Sequence, residues 1–484
     1  MLLPVALSIP GLGRWCIFSP DSFQYLEMAR SVAETGGFPH RHFMLPPGFP
    51  VVLAPLLCFG SLPLLPMRTL LAACWAIAAA LTYLLHRDEL GRRLAWVAGL
   101  LVAISPVLLH STMMLLSEPV FTVLALMTLL VMVRWWRRPV GSVWFVALGG
   151  LLTAAAVMVR SVGIVLLPVL ALALLRHRDQ PVTRRAIGAG ILACCVLGPL
   201  AAWHIRQGLY PTGIGYEHIW TAARAAEKTD ATGLALQLER FQKFAPSRLD
   251  SIKETMLPKD LAWRAFNPPW DQPTTWLIGG FFVVVALVRL IRLRSPVDLY
   301  VLLTLLILSL WPWDEGVRLV APLILIFVSY PLWVGLLIWR RARGRTWARP
   351  AVAVALVLWL LLQAAGVTVE LSRLPTLKAK ARHRMDVMAT LAAWHDAYTS
   401  PGATWIGVTP QADDSKTLLL GAAYLSRRPV TTIDVRDQSA YDLDLSVGQR
   451  AFVHEALANS VEEKHGYVPV SRQSGFVVFE RPGL

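Results

Sequence analysis

The sequence predicts an α-helical polytopic membrane protein of about eleven transmembrane helices, ending in a small C-terminal α/β domain. Three observations carry this. Of 484 residues, 55% are apolar and 16% charged, whereas soluble domains average about 25% charged. Mean hydropathy is +0.53. Apolar runs of near-spanning length recur along the chain, separated by short arginine-rich segments.

The N-terminal stretch 1–18 is apolar but interrupted by Pro4, Pro10, Gly11, Gly13 and Arg14. It has no basic n-region, so a signal peptide is not indicated. The sidedness of the later runs makes it a first crossing, with either a short helix or a truncated start. An outer loop, 19–66, follows. Its first part is helical from Asp21 to about Ala33, with Phe23, Leu26, Ala29 and Ala33 on one face. Its second part, 46–65, is apolar but rich in Pro and Gly, and reads as a re-entrant or interfacial element. Spanning runs then fall near 67–86, 94–112, 118–136, 142–159, 162–176, 186–203, 274–290, 297–313, 318–339 and 350–369. A long connection, 204–273, joins the sixth to the seventh. From 371 the hydropathy drops. An amphipathic helix at 375–398, strands at 404–408, 430–435 and 475–480, and helices at 415–426 and 447–460 make a second domain, 371–484.

The net charge of +15 is unevenly placed. Segments His86–Arg93, Arg134–Arg138, Arg176–Arg185, Arg289–Arg294 and Arg340–Arg349 hold 18 arginines and only three acids, which is the whole excess. Placed in the cytoplasm, they alternate with the other connections without exception. The loops 19–66 and 204–273 and the C-terminal domain then lie outside. This pattern argues against nucleic acid as a partner, since no soluble basic stripe with interleaved aromatics exists. The five cysteines lie in or beside apolar segments, without CxxC or zinc spacing, and read as core residues.

The outer side carries the unusual residues. Asp21 opens the first-loop helix, as an N-terminal cap or as a general base. Glu118, in Ser117-Glu118-Pro119, starts a span near membrane depth, again as a cap or as a functional acid. Arg68, Arg160 and Arg318 sit at outer span ends against the positive-inside trend. They need an anionic partner there: a phosphate, or for Arg318 a salt bridge to Asp314 or Glu315. His40 and His42 flank Arg41 before Pro46-Pro47 and are candidates for substrate or metal. Asp442-Leu443-Asp444 is a DxD in a turn-like stretch and reads as coincidental. There is no HExxH, GxSxG or Walker motif.

Six pieces occur in order: PDSFQYLEMARSVAETGG, PPGFPVVLAPLLCFG, SPVLLHSTMMLLSEPVF, MVRSVGIVLLPV, AAWHIRQGLYPTG and GVRLVAPLILIF. Together they resemble the membrane glycosyltransferases of the GT-C superfamily, in the bacterial group of aminoarabinose lipid A transferases and protein O-mannosyltransferases. The resemblance covers residues 1 to about 370. It implies transfer of a sugar from a polyprenyl-phosphate donor to a lipid, glycan or protein acceptor on the extracytoplasmic side of the inner membrane. It implies Asp21 as base, Glu118 as second acid, and Arg160 and Arg318 as candidates for the lipid phosphate. No cofactor is certain, and a divalent metal is left open. Two departures bear on the substrate: Ser22 follows Asp21 where a paired acid is frequent, and Leu45 precedes Pro46 where the aminoarabinose enzyme has lysine.

The chemistry agrees with that implication. A leaving phosphate gains charge, which guanidiniums in a partly dry site stabilise. A carboxylate takes the acceptor proton, and a single displacement inverts the anomeric carbon. The alternative is a transporter or flippase of lipid-linked sugars. That reading predicts internal repeats and polar residues at the midplane, and no repeat is visible. A non-enzymatic envelope assembly protein is a third reading.

Overall fold

The computed structural model describes residues 2–8, 15–39, 45–137, 143–176, 181–209, 233–257, 271–311, 317–342, 347–398, 405–410, 415–426, 430–435, 450–454, 468–473 and 476–480. The predicted first crossing contains α1 (Leu2–Ser8), a helix of only seven residues. Next comes α2 (Pro20–Thr35). Its N-cap is Ser19, whose Oγ accepts from Ser22 N while Ser22 Oγ accepts from Ser19 N. This reciprocal box, with Pro20 in the first turn, fixes where α2 begins. Left-handed Gly36 ends it (φ 71°).

The Pro- and Gly-rich stretch forms α3 (Gly48–Leu53) and a 3₁₀ turn, Ala54–Phe59, rather than a full crossing. Gly48 lies against the backbone of Met158, so close that a Cβ would sit 2.6 Å from its carbonyl oxygen. The helical bundle continues through α4 (Leu64–Ala103), α5 (Pro106–Ser111), α6 (Glu118–Arg137) and α7 (Val143–Val159). A 3₁₀ turn, Ser161–Val165, leads into α8 (Leu166–Arg176), followed by α9 (Val182–Leu209). The second half comprises α10 (Gly233–Met256), α11 (Asp271–Leu293), α12 (Pro296–Leu310), α13 (Val317–Val320), α14 (Ile324–Phe327), α15 (Ser329–Arg341) and α16 (Ala348–Tyr398). Among the described residues, six helical stretches are long and apolar enough to cross a membrane, and shorter apolar helices pack among them. The chain is a multi-pass membrane protein.

The remaining elements are β1 (Trp405–Pro410), α17 (Ser415–Ser426), β2 (Val430–Val435), β3 (Arg450–His454), β4 (Val468–Gln473) and β5 (Phe476–Glu480). They form a mixed sheet of order β2-β1-β3-β5-β4, parallel for β2-β1-β3 and antiparallel for β3-β5-β4. Helix α17 packs against both α16 and α2. Tyr424 fastens it there. Its ring lies 3.6 Å below the Arg30 guanidinium, its carbonyl accepts from Arg30 Nη1 (2.8 Å), and its hydroxyl donates to the Ser61 carbonyl (2.9 Å).

Several sequence expectations need correction. The arginine segment His86–Arg93 is a kink, not a loop: α4 runs through it and breaks only at Gly91 (φ 77°). The run 94–112 stops at Ala103 and resumes as α5 behind the Ser105 cap. The span 350–369 and the amphipathic helix 375–398 are one 51-residue helix that passes through Pro375. Residues 450–454 are a strand, because pairing on both sides, to β1 and β5, outweighs local helical pattern. Strand β4 was not anticipated.

Arg289 stands where the run 274–290 meets the basic segment Arg289–Arg294. It lies inside α11 with a side chain 0% exposed. Its Nε donates to both Asp298 carboxylate oxygens (3.0 and 3.2 Å) and its Nη2 to Glu89 Oε2 (2.7 Å). Tyr330 donates to Asp298 Oδ1 (2.8 Å). One buried charge cluster therefore ties α4, α11, α12 and α15 together.

Candidate active site

Four ionisable side chains from four distant segments meet. Arg318, on the single turn α13, donates from Nη2 to Asp21 Oδ2 (2.8 Å) and from Nε to Glu118 Oε1. Arg160 donates from Nη1 to the same Glu118 oxygen (2.5 Å). Glu118 is the most enclosed, with its side chain 5% exposed, while those of Asp21 and Arg318 are about a quarter exposed (23% and 24%). Glu118 thus holds two guanidiniums, and Asp21 faces the more open side.

Local structure explains each placement. Ser19 and Ser22 close the end of α2, so Asp21 is not its cap, and its carboxylate is turned to Arg318 instead. The segment before α2 is laced to the segment before α6. Ile17 N donates to Met113 O (2.9 Å), Cys16 Sγ donates to the same oxygen (3.2 Å), and the Tyr25 and Ser117 hydroxyls are bonded (3.0 Å). Asp21 and Glu118 therefore share one end of the bundle. Burial, with the Asp21 carboxylate adding to it, pushes the Tyr25 phenol well above its ordinary range, so it remains protonated as a strut. Arg160 leaves α7 in extended conformation and precedes a 3₁₀ turn folded back on that helix. The fold-back needs Gly163, where a Cβ would lie 2.8 Å from the Ala156 and Val157 backbone.

Arg68 is placed apart from these four. It is 1% exposed, donates to the carbonyls of Trp15 (3.2 Å) and Thr112 (3.4 Å), and stacks on the Trp15 ring (4.4 Å). His40 and His42, the Asp314 and Glu315 alternatives for Arg318, and the DxD at 442–444 lie outside the described residues. Among the described residues no group of three His, Cys, Asp or Glu side chains could hold a metal.

Two cavities lie along one face of α16, and the polar one borders the cluster. A polar one of about 280 Å³ is lined by Glu118 and Arg318 and reaches α16 at Gly366, Val369 and Glu370. An apolar one of about 810 Å³ reaches it at Val352, Leu356, Trp359 and Leu362. Between them, Trp359 Nε1 and Gln363 Nε2 donate to the Met256 carbonyl (3.2 and 2.7 Å). No sequence signal marked this arrangement, because its lining comes from α5, α10, α13 and α16, far apart in the chain.

Residues 45–203 match the family model described as dolichyl-phosphate-mannose-protein mannosyltransferase. No curated protein matches the chain in sequence. Among solved structures, ArnT from Cupriavidus metallidurans bound to undecaprenyl phosphate superposes with TM-score 0.53 at 16% identity, over 99% of this chain and 96% of that one. Its apo state gives 0.52 at 16% identity, over 98% and 96%. The Archaeoglobus fulgidus oligosaccharyltransferase in complex with Zn and sulfate gives 0.53 at 12% identity, over 89% of this chain and 61% of that one. The fold is that of the GT-C superfamily. By the family match over residues 45–203 and by its fold, the chain is similar to the GT-C membrane glycosyltransferases.

Proposed function

We propose that the chain transfers one sugar from a polyprenyl-phosphate donor to a lipid, glycan or protein acceptor at the extracytoplasmic face of the inner membrane, by single displacement with inversion. The observation that carries this is the meeting of Asp21, Glu118, Arg160 and Arg318. Asp21 accepts the acceptor's hydroxyl proton. The freed oxygen pair bonds to the anomeric carbon as the sugar–phosphate C–O bond breaks, and the lipid phosphate departs with both electrons. Arg318 and Arg160 meet the charge it gains. A guanidinium has five donors in a rigid fork, so it can serve a carboxylate and phosphate oxygens together. Glu118 keeps the two like-charged guanidiniums side by side. The apolar cavity along α16 suits the polyprenyl tail. Arg68, bound to backbone carbonyls and Trp15, moors the first loop instead of touching phosphate.

The test is transfer by the purified protein from an undecaprenyl-phosphate sugar, with the product anomer assigned by NMR. A retained anomeric configuration overturns the single displacement. In the same assay Arg318→Ala is expected to raise the donor KM by about ten-fold, the scale of one lost charge-assisted hydrogen bond, and Arg318→Lys by less. Equal, unimpaired activity of both variants removes Arg318 from the phosphate site.

Sidedness has its own test. The arginine-rich segments support a C-terminus on the outer side. An alkaline phosphatase fused after Leu484 is expected to be active and a fluorescent protein that fails to mature in the periplasm to be dark. The opposite pair of signals reverses the topology and the side on which transfer occurs.

A further inference from the structure

We infer that the 280 Å³ polar cavity is the subsite for the transferred monosaccharide, with Glu254 and Glu370 accepting hydrogen bonds from its ring hydroxyls. This rests on the donor reading above and adds what selects the sugar. Beyond Glu118 and Arg318, the polar groups lining the cavity are His110, Ser111, Glu254 and Glu370. Glu370 is held in place: its Oε2 lies 3.5 Å from His110 Nδ1 and its Oε1 3.5 Å from Arg373 Nη1.

The chemistry of this lining distinguishes sugar from phosphate. The carboxylates of Glu254 and Glu370 disfavour an anion between them, so the phosphate belongs with the guanidiniums of Arg318 and Arg160. A sugar presents several neutral O–H donors, and charge-assisted hydrogen bonds to carboxylates are roughly twice as strong as neutral ones. A second observation also points to a missing donor. Glu118 lines the same cavity with its side chain 5% exposed, and its Oε2 is buried with no hydrogen-bond partner. Buried acceptors are rarely left so, and a hydroxyl beside it would complete the set.

Size and position agree. The cavity stands near the lower end of the ~300–1,000 Å³ usual for small-molecule sites, which suits one sugar ring. It shares Arg318 with the proposed phosphate clamp, as a sugar one bond from that phosphate requires. Asp21 does not line it.

The experiment measures binding of four lipids to the full-length protein in detergent. They are bare undecaprenyl phosphate and its mannose, glucose and 4-amino-4-deoxyarabinose conjugates. The parent is expected to bind at least one conjugate about ten-fold more tightly than the bare lipid, the scale of a charged hydrogen bond. Glu370→Gln and Glu254→Gln should each erase most of that preference while binding of the bare lipid stays within about two-fold. Thermal midpoints report whether each variant is folded, and either one alone suffices. An unchanged preference in a folded variant overturns the subsite. So does an equal loss for bare and sugar-bearing lipid, or a parent with no preference. A parent that binds none of the four overturns the donor reading itself, and the subsite with it.

Discussion

Replacing Asp21 by Asn is expected to lower the transfer rate by about 10²-fold or more, the range of general-base assistance, with little change in thermal midpoint. Asn keeps the size of the side chain and can still accept from Arg318, but it cannot take a proton at neutral pH. The helix end does not depend on it, because Ser19 and Ser22 supply the cap. Asp21→Ala is expected to match the Asn variant in rate. Had Asp21 been the cap, the Asn variant would be nearly silent and the Ala variant would cost about 1 kcal/mol of stability. Glu27 and Glu34 on the same helix are the comparison sites, since both are remote from the first turn of α2. The measurement is initial rate per folded molecule with an undecaprenyl-phosphate sugar. A folded Asp21→Asn protein working at the parent rate removes the assignment and moves it to Glu118.

The second large effect is on stability. Asp298→Ala is expected to destabilise the bundle by about 3 kcal/mol, because removing one partner of a buried ion pair leaves the other charge uncompensated. Arg289 and Asp298 side chains are both 0% exposed, and Glu89 alone would remain for the guanidinium. Asp298→Asn should cost less, since it still accepts from Arg289 and Tyr330. Replacing both residues, Arg289→Met with Asp298→Leu, should recover much of the loss, as apolar substitutes for buried pairs often do. Unfolding of the detergent-solubilised protein, followed by thiol accessibility of the buried Cys16 and Cys74, reports the effect. Equal stability of Asp298→Ala and the parent would show that water reaches Arg289.

The two expectations differ in how visible their residues were. Asp21, Glu118, Arg160 and Arg318 stood out because each puts charge at the end of an apolar run, which is a local property of the chain. Arg289 was not singled out by the same reasoning. Counted along the chain it belongs to a basic segment, yet its partners Glu89 and Asp298 come from α4 and α12. Arg68 shows the converse. It looked like an outer arginine in want of an anion, and backbone carbonyls with an indole ring surround it.

Hydropathy and charge distribution were enough to establish a multi-pass bundle, the approximate runs, the broken character of 46–65 and most of the C-terminal strands. Those features follow from burial and solvation, which act on short windows of sequence. Other features depend on chain segments hundreds of residues apart. They include the shared oxygen of Glu118 between Arg160 and Arg318, the cap that releases Asp21 to reach Arg318, the strand at 450–454, and the cavity between α5, α10, α13 and α16. No local window encodes which distant partner satisfies a buried charge or a strand edge. That is settled only when the whole bundle closes and every such group must find a partner at once.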